Sequence, residues 1–330
     1  MKKSDLILDI LLQAIRKEID AYNTYVKTSE SSPYPETKAL LAQLAEEERK
    51  HRQLLLREYL TLRGLLQESK TRASYLTKDR VQYNLPAELP FKQLRTIPQI
   101  ELAAISLPTE FMGGDYLESF PFSSEDEQLA SIGIVLGDIM GHGLEATQLK
   151  GLLKTTFAKL MDATGQTGQN NKAVNTAPLI DRLNRLLWEP CRSADAYITL
   201  FYGVLNPYNK RLVYTSAGHN PPLIFTDNGS KYTSLSNTQM VIGVLQQVDY
   251  SPTEVPLRKG DLLMIYSDGL TEATNRKKEE FGTQRLAELV QQYYNLTSEA
   301  IIQQICQGLA AFIQDKPLKD ELTIAVAKIV

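Results

Sequence analysis

The stretch IVLGDIMGHG, residues 134–143, runs from four apolar positions straight into an aspartate and then into a glycine-rich turn. The flank of an apolar strand is a costly place for a carboxylate, but the end of one is a good place to aim it at a shared point. The same arrangement recurs. Asp115 lies in FMGGDY (111–116), Asp268 in LLMIYSDGLTEA (262–273) and Asp320 in LKDELTIAV (318–326). Three of these four carboxylates adjoin a strongly apolar run, and glycines 113, 114, 137, 141, 143 and 269 crowd the same places. Glycine permits turns and close approaches that a side chain would block. One Asp-Gly is most often only a turn. Four carboxylates at strand ends are a donor set for hard divalent cations such as Mg2+ or Mn2+, which take oxygen ligands. A pair of such cations activates water and neutralises a phosphoryl group.

Outward from this stretch, residues from about 94 onward alternate short β-like runs with turns: IELAAIS, LASIGIVLGDI, AYITLFYGVL, RLVYTSAG, PLIFT, DLLMIYSDG and LTIAVAKIV. Helical patterns separate them at 144–161, 176–188, 283–294 and 298–314. The spacing predicts a mainly antiparallel α+β layer structure. The polar tract TGQTGQNNKA (164–173) reads as a loop. Residues 4–66 differ in texture, carrying helical periodicity throughout. One stripe holds Ile7, Leu11, Ala14, Glu18, Ala21 and Tyr25, and another holds Leu41, Leu44, Glu48, His51, Leu55 and Leu62. Between them SSPYP (31–35) interrupts the pattern, because proline is excluded from a helix interior. This predicts a helical hairpin.

The totals narrow the class. The chain has 330 residues, 43% hydrophobic and 23% charged, ordinary values for a globular protein. A net charge of −3 argues against a nucleic-acid partner. The two cysteines, Cys191 and Cys306, have neither a metal nor a redox spacing. No run approaches the roughly 18 apolar residues of a membrane span. MKKSDLILDILLQAIRKEID (1–20) reads as an amphipathic helix and not a signal peptide, so a cytoplasmic location is expected.

The ordered series GGDY, GDIMGHG, SAGHNPP, YSDGLTEA and DELT resembles the metal-dependent serine/threonine protein phosphatases of the PPM (protein phosphatase 2C-like) family. Its nearest likeness is to the SpoIIE/RsbU-like branch of bacterial stress and sporulation regulators. The likeness runs from DRVQYNLP (79–86) to residue 330, some three quarters of the chain. It implies a β-sandwich of two antiparallel sheets flanked by helices, with a dinuclear site at one edge. Asp138 would bridge two metals, and the carbonyl of Ile139 would complete the shell of one. Asp268 and Asp320 would bind the second, and Asp115 would hold the site directly or through water. Water activated by the metals would displace the serine or threonine oxygen, with no covalent phospho-enzyme. Glu118 and Glu321 stand where the family has further acids and preserve the charge. The phosphate-binding arginine of eukaryotic members has no clear counterpart. His142 is either a general acid or a residue that orients its turn, while His219 reads as structural.

In the hairpin, Glu18, Glu48 and His51 interrupt apolar stripes, where a charge needs a partner or a metal. Glu48 and His51 are spaced i, i+3 and point the same way. Glu18 lies about 14 residues before the turn and Glu48 about 16 after, which sets them level at about 1.5 Å per residue. One Glu plus one Glu-x-x-His is half of a ferritin-like di-metal carboxylate set. EIDAYNTY (18–25) and LAEEERKH (44–51) resemble rubrerythrin-type ferritin-like helices, and a twofold-related second hairpin would complete the bundle and its Fe or Mn centre. A metal-free dimerisation bundle and a plain solvated hairpin remain open at this stage. Glu46, Glu47, Arg49 and Lys50 read as a solvated face, and Tyr22 and Tyr25 as packing residues.

The division expected is a hairpin domain over 1–66, a helical linker over 67–92 and a phosphatase domain over 93–330. The function implied is hydrolysis of phosphoserine or phosphothreonine on a partner-switching regulator of the anti-sigma-factor antagonist type. Regulation would come from a homodimeric, metal-binding bundle, with no nucleic-acid or membrane partner. The competing readings are a non-catalytic metal sensor or scaffold, and a ferritin-like di-iron oxidase with a secondary phosphatase domain.

Overall fold

The computed structural model describes residues 3–67, 85–86, 88–107, 114–122, 131–140, 144–163, 175–314, 316–318 and 320–330. Most of the expected linker over 67–92, the tract 164–173 and His142 lie outside them.

Two long helices, α1 (Lys3–Ser31) and α2 (Pro35–Gln67), form the hairpin. Ser32, Pro33 and Tyr34 make the turn, and Pro35 sits at the first helical position, where a missing N–H costs nothing. Ten strands follow among the described residues: β1 (Ile100–Leu107), β2 (Tyr116–Phe122), β3 (Ser131–Met140), β4 (Tyr197–Asn206), β5 (Arg211–Ala217), β6 (Leu223–Thr226), β7 (Lys231–Ser234), β8 (Thr253–Pro256), β9 (Leu262–Tyr266) and β10 (Leu322–Ile329). They build two five-stranded antiparallel sheets, ordered β1-β10-β9-β6-β7 and β2-β3-β4-β5-β8.

Alternation of side chains along each strand explains why these runs are apolar throughout. In β3, Ile132, Ile134 and Leu136 share the inter-sheet face with Phe201 of β4 and meet Leu263, Ile265, Ala325 and Ala327 of the other sheet. Val135 and Ile139 face outward onto α3 (Leu144–Ala163) and α4 (Ala177–Ser193), through Leu153, Phe157 and Leu183. The first sheet is covered likewise by α6 (Gly282–Tyr293) and α7 (Ser298–Ile313), with Leu286, Ile301 and Ile305 on Met264 and Val326. The result is a four-layer sandwich of helices, sheet, sheet and helices.

The hairpin docks on one end of this sandwich. Ile15, Ile19, Leu56 and Tyr59 pack with Tyr197, Met240, Val241 and Val244. Asn23 and Thr238 exchange hydrogen bonds of 3.1 and 3.4 Å. This contact corrects the expected seam. The deeply buried stripe is Ile15, Ile19 and Tyr22 on α1, with Ala45, Arg49, Arg52, Leu56 and Tyr59 on α2. It lies one position beyond the stripe read from the sequence, of which His51 is exposed and Ile7 is 43% exposed. Arg49, expected in a solvated face, is buried because that face turns onto the sandwich.

Candidate functional site

The face of each strand that packs between the sheets is apolar until it reaches one end of the sandwich, where it turns polar. Along β3 the series Ile132, Ile134, Leu136 continues to Asp138. On β4 the partner of Asp138 is Thr199. On β10 the series Ala327, Ala325 continues backward to Thr323 and Glu321, and on β1 Ala104 continues to Ser106. Asp115 shares the face of Leu117 at the entry to β2. Asp268 opens the short helix α5 (Asp268–Thr271) immediately after β9. Strand register therefore brings Asp115, Asp138, Asp268, Asp320 and Glu321 to one edge of the core.

Two glycines make this convergence possible. A Cβ on Gly269 would lie 2.0 Å from the carbonyl oxygen of Glu321, so the Asp268–Gly269 turn can press on the Asp320–Glu321 backbone only without a side chain. A Cβ on Gly114 would lie 3.0 Å from the carbonyl oxygen of Ile139 and 3.4 Å from Asp138 Oδ1. Glu321 ties the cluster together. It accepts hydrogen bonds from the Asp115 N–H at 2.7 Å and from Ser106 Oγ at 3.3 Å, and Lys150 Nζ lies 4.0 Å away. Asp320 Oδ1 accepts from the Glu321 N–H at 2.8 Å.

Without cations these carboxylates work against one another. Burial, then Glu321 and Asp268, push Asp115 well above the usual aspartate range. Burial, then Asp115, Asp268 and Asp320, do the same to Asp138. Asp268 is raised to about 7 by burial and by Glu272 and Asp320, with Arg49 acting in the opposite direction. Asp115 Oδ2 is buried and has no hydrogen-bond partner. Oxygen-only donors, mutual repulsion and an orphaned buried oxygen are what a site for hard divalent cations presents. Glu118 alternates to the opposite face of β2 from Leu117 and points away from the cluster. His219 is buried, accepts or donates at 3.1 Å to Thr199 Oγ1, and is held near 3 by burial, hence neutral.

The hairpin holds a second cluster. Glu18, Glu48 and His51 each place a ligand atom within 4.8 Å of the other two, the one such trio among the described residues. His51 Nδ1 lies 3.2 Å from Glu48 Oε2. The hydrogen bond with Glu48 raises Glu18 above the usual glutamate range, and the same contact lowers Glu48. Mixed imidazole and carboxylate donors suit a transition metal. Arg49 and Arg52, each one residue after a member of that trio, face the sandwich instead. Arg49 grips Glu46 at 2.7 and 2.9 Å and Glu272 at 2.9 Å, while Lys50 reaches Glu280 at 3.1 Å. These interface cations were not singled out from the sequence. Their signal was the spacing of three and four that Arg49, Arg52, Leu56 and Tyr59 share with a buried helix face.

The model of the SpoIIE family, described as stage II sporulation protein E, matches residues 130–330. The chain belongs to the SpoIIE family. A second model, that of rubrerythrin, matches residues 9–102 of this SpoIIE-family chain. The chain is 28% identical over 273 residues to phosphoserine phosphatase RsbU of Bacillus subtilis strain 168, covering 82% of this chain and 74% of the relative. Its fold is similar to that of the SiaA-PP2C domain of Pseudomonas aeruginosa, with a TM-score of 0.59 at 19% identity over 70% of this chain and 86% of that one. It is also similar to the RsbU and RsbW domains of a Mycobacterium tuberculosis protein, with a TM-score of 0.55 at 22% identity over 70% of this chain and 62% of that one. Both parts of the sequence resemblance therefore stand: a PP2C-type sandwich of two antiparallel sheets, and a ferritin-like N-terminal segment.

Proposed function

We propose that this SpoIIE-family protein phosphatase acts on phosphoserine or phosphothreonine of a regulatory protein of the partner-switching type, with a phosphatase domain over 93–330. The observation that carries this reading is the gathering of Asp115, Asp138, Asp268, Asp320 and Glu321 at one edge of the inter-sheet core. Asp138, Asp268, Asp320, Asp115 and the Ile139 carbonyl would hold two Mn2+ or Mg2+ ions. Bound there, the cations would lower the pKa of a water and neutralise the phosphoryl group. The protein's own contribution is placement: Glu321 fixes the backbone of Asp115, and Gly269 lets Asp268 close on Asp320. Water adds to phosphorus, the serine oxygen leaves and takes up a proton, and inorganic phosphate is released. The similarity to a phosphoserine phosphatase, RsbU, supports this substrate class. Asp138→Asn and Asp268→Asn should each abolish Mn2+-dependent phosphate release from a phosphoserine peptide or protein. Retained turnover in either variant would sink the assignment.

The trio Glu18, Glu48 and His51 supports a second, regulatory element. Two copies of the hairpin (1–66) would assemble a four-helix bundle with an Fe or Mn di-metal centre, its state passed on through the linker 67–92. Exposed Ile7, Ile10 and Leu54 supply apolar surface for that assembly. Elemental analysis in an Asp138→Asn/Asp268→Asn background isolates the hairpin metal. Glu48→Ala and His51→Ala should then lower iron or manganese to background, and equal metal in all three proteins would reject the centre.

A further inference from the structure

Arg52 of α2 is 6% exposed and stands at the junction of hairpin and sandwich. Its Nη2 donates to the Gly218 carbonyl at 3.5 Å, and its guanidinium lies 5.9 Å from the centre of the Tyr22 ring. Its Nη1 is buried and has no hydrogen-bond partner. No ion pair among the described residues includes it, in contrast to Arg49 one turn earlier, which holds two carboxylates. A buried guanidinium without a counter-charge is expensive, and a bound anion is the ordinary remedy. Arg52 lines one cavity together with Asp138, Asp268, Thr199, Gly218 and His219. His219 Nε2, on the same wall, is likewise buried and without a partner. The carboxylates of that cavity are the donor set for divalent cations, so they do not serve as the counter-charge of Arg52 once cations bind.

We infer that Arg52, supplied by the hairpin, is the phosphate-binding residue of the phosphatase site, donating from Nη1 to the phosphoryl oxygens of the substrate and of the inorganic phosphate product. The inference rests on the phosphatase reading above and adds to it the group that recognises the phosphate. The planar fork of arginine suits a phosphoryl group, whereas a lysine presents only a point charge. It also makes the hairpin a part of the active site.

The test uses the full chain with Mn2+ and two readouts, calorimetric titration with inorganic phosphate and titration with Mn2+ alone. Arg52→Met is expected to weaken phosphate binding roughly 10- to 100-fold, the effect of losing a charged hydrogen bond, and to leave Mn2+ affinity unchanged. Arg52→Lys keeps the buried charge and serves where the Met variant fails to fold, with a smaller loss expected in the same direction. Phosphate affinity unchanged in a folded variant overturns the inference. So does a gain in Mn2+ affinity, which would make Arg52 a tethered cation competing with the metals. An active wild type whose phosphate affinity ignores Arg52 removes this site and leaves the phosphatase reading. An inactive wild type that binds phosphate through Arg52 removes the reading and leaves the site.

Discussion

Asp268→Asn should stabilise the metal-free protein while destroying its activity. An ordinary aspartate titrates near 3.8, and burial beside Glu272 and Asp320 raises Asp268 to about 7. The folded pKa is raised, so keeping the group ionised costs stability. The cost is absent below about pH 4, grows as pH rises and is complete above about pH 7. Three decades of proton affinity, each worth about 1.4 kcal/mol, set it at about 4 kcal/mol at pH 8. At pH 5 the wild type is largely protonated in the fold, and the cost falls to about 1.7 kcal/mol. Asparagine keeps the shape and removes the charge. In EDTA at pH 8 the variant's melting midpoint should therefore exceed that of the wild type by roughly 10 °C, at about 2–4 °C per kcal/mol. The advantage should shrink at pH 5 and disappear when Mn2+ is restored, because the cation compensates the wild-type carboxylate. Thermal denaturation across pH 5–8, with and without Mn2+, reads all three. A variant no more stable than wild type in EDTA at pH 8, or equally favoured at pH 5 and pH 8, would refute the claim that the site is electrostatically strained.

Two other outcomes follow from the geometry. Gly269→Ala places a Cβ 2.0 Å from a backbone oxygen that cannot swing aside, so a loss of more than about 2 kcal/mol in chemical denaturation is expected, together with loss of divalent-cation binding. His219 is held near 3 by burial, below its ordinary 6.5, so its contribution is complete above pH 6.5 and fades as pH falls. The stability difference between wild type and His219→Gln should shift toward the variant by about 2 kcal/mol between pH 7 and pH 5, and a constant difference across that range would mean the imidazole is not buried neutral.

Much of the catalytic edge was legible from residues 134–143 outward, because strands buried on both faces read as unbroken apolar runs and their terminal aspartates stand out. What stayed hidden were the strands without that signature. β2 carries Glu118 and Pro121, and β7 and β8 are short polar edges, tolerated there because an edge needs only one partner. Glu321 read as a charge substitute, and its link to the Asp115 backbone became visible only once β10 was in register with β1. In the hairpin, the level of Glu18 with Glu48 followed from helix rise alone. Which side of that hairpin is deepest did not, because the sequence stripes are compatible with either neighbouring face, and docking on Tyr197, Met240 and Val241 decides between them. Arg49 was misread as solvent-facing for this reason, and Arg52 was not singled out.

α2 carries two alphabets a single residue out of phase: Glu48 and His51 face Glu18, while Arg49 and Arg52 face the sandwich. Neither set can be shifted without the other. Both sets ride on one helix, so a rotation of α2 that takes Glu48 and His51 off Glu18 also takes Arg49 and Arg52 off the sandwich. A hairpin lacking Arg49 and Arg52 would not make the contacts to Glu272 and to the Gly218 carbonyl. A substitution on α2 therefore meets constraints on two adjoining faces, one toward Glu18 and one toward the sandwich.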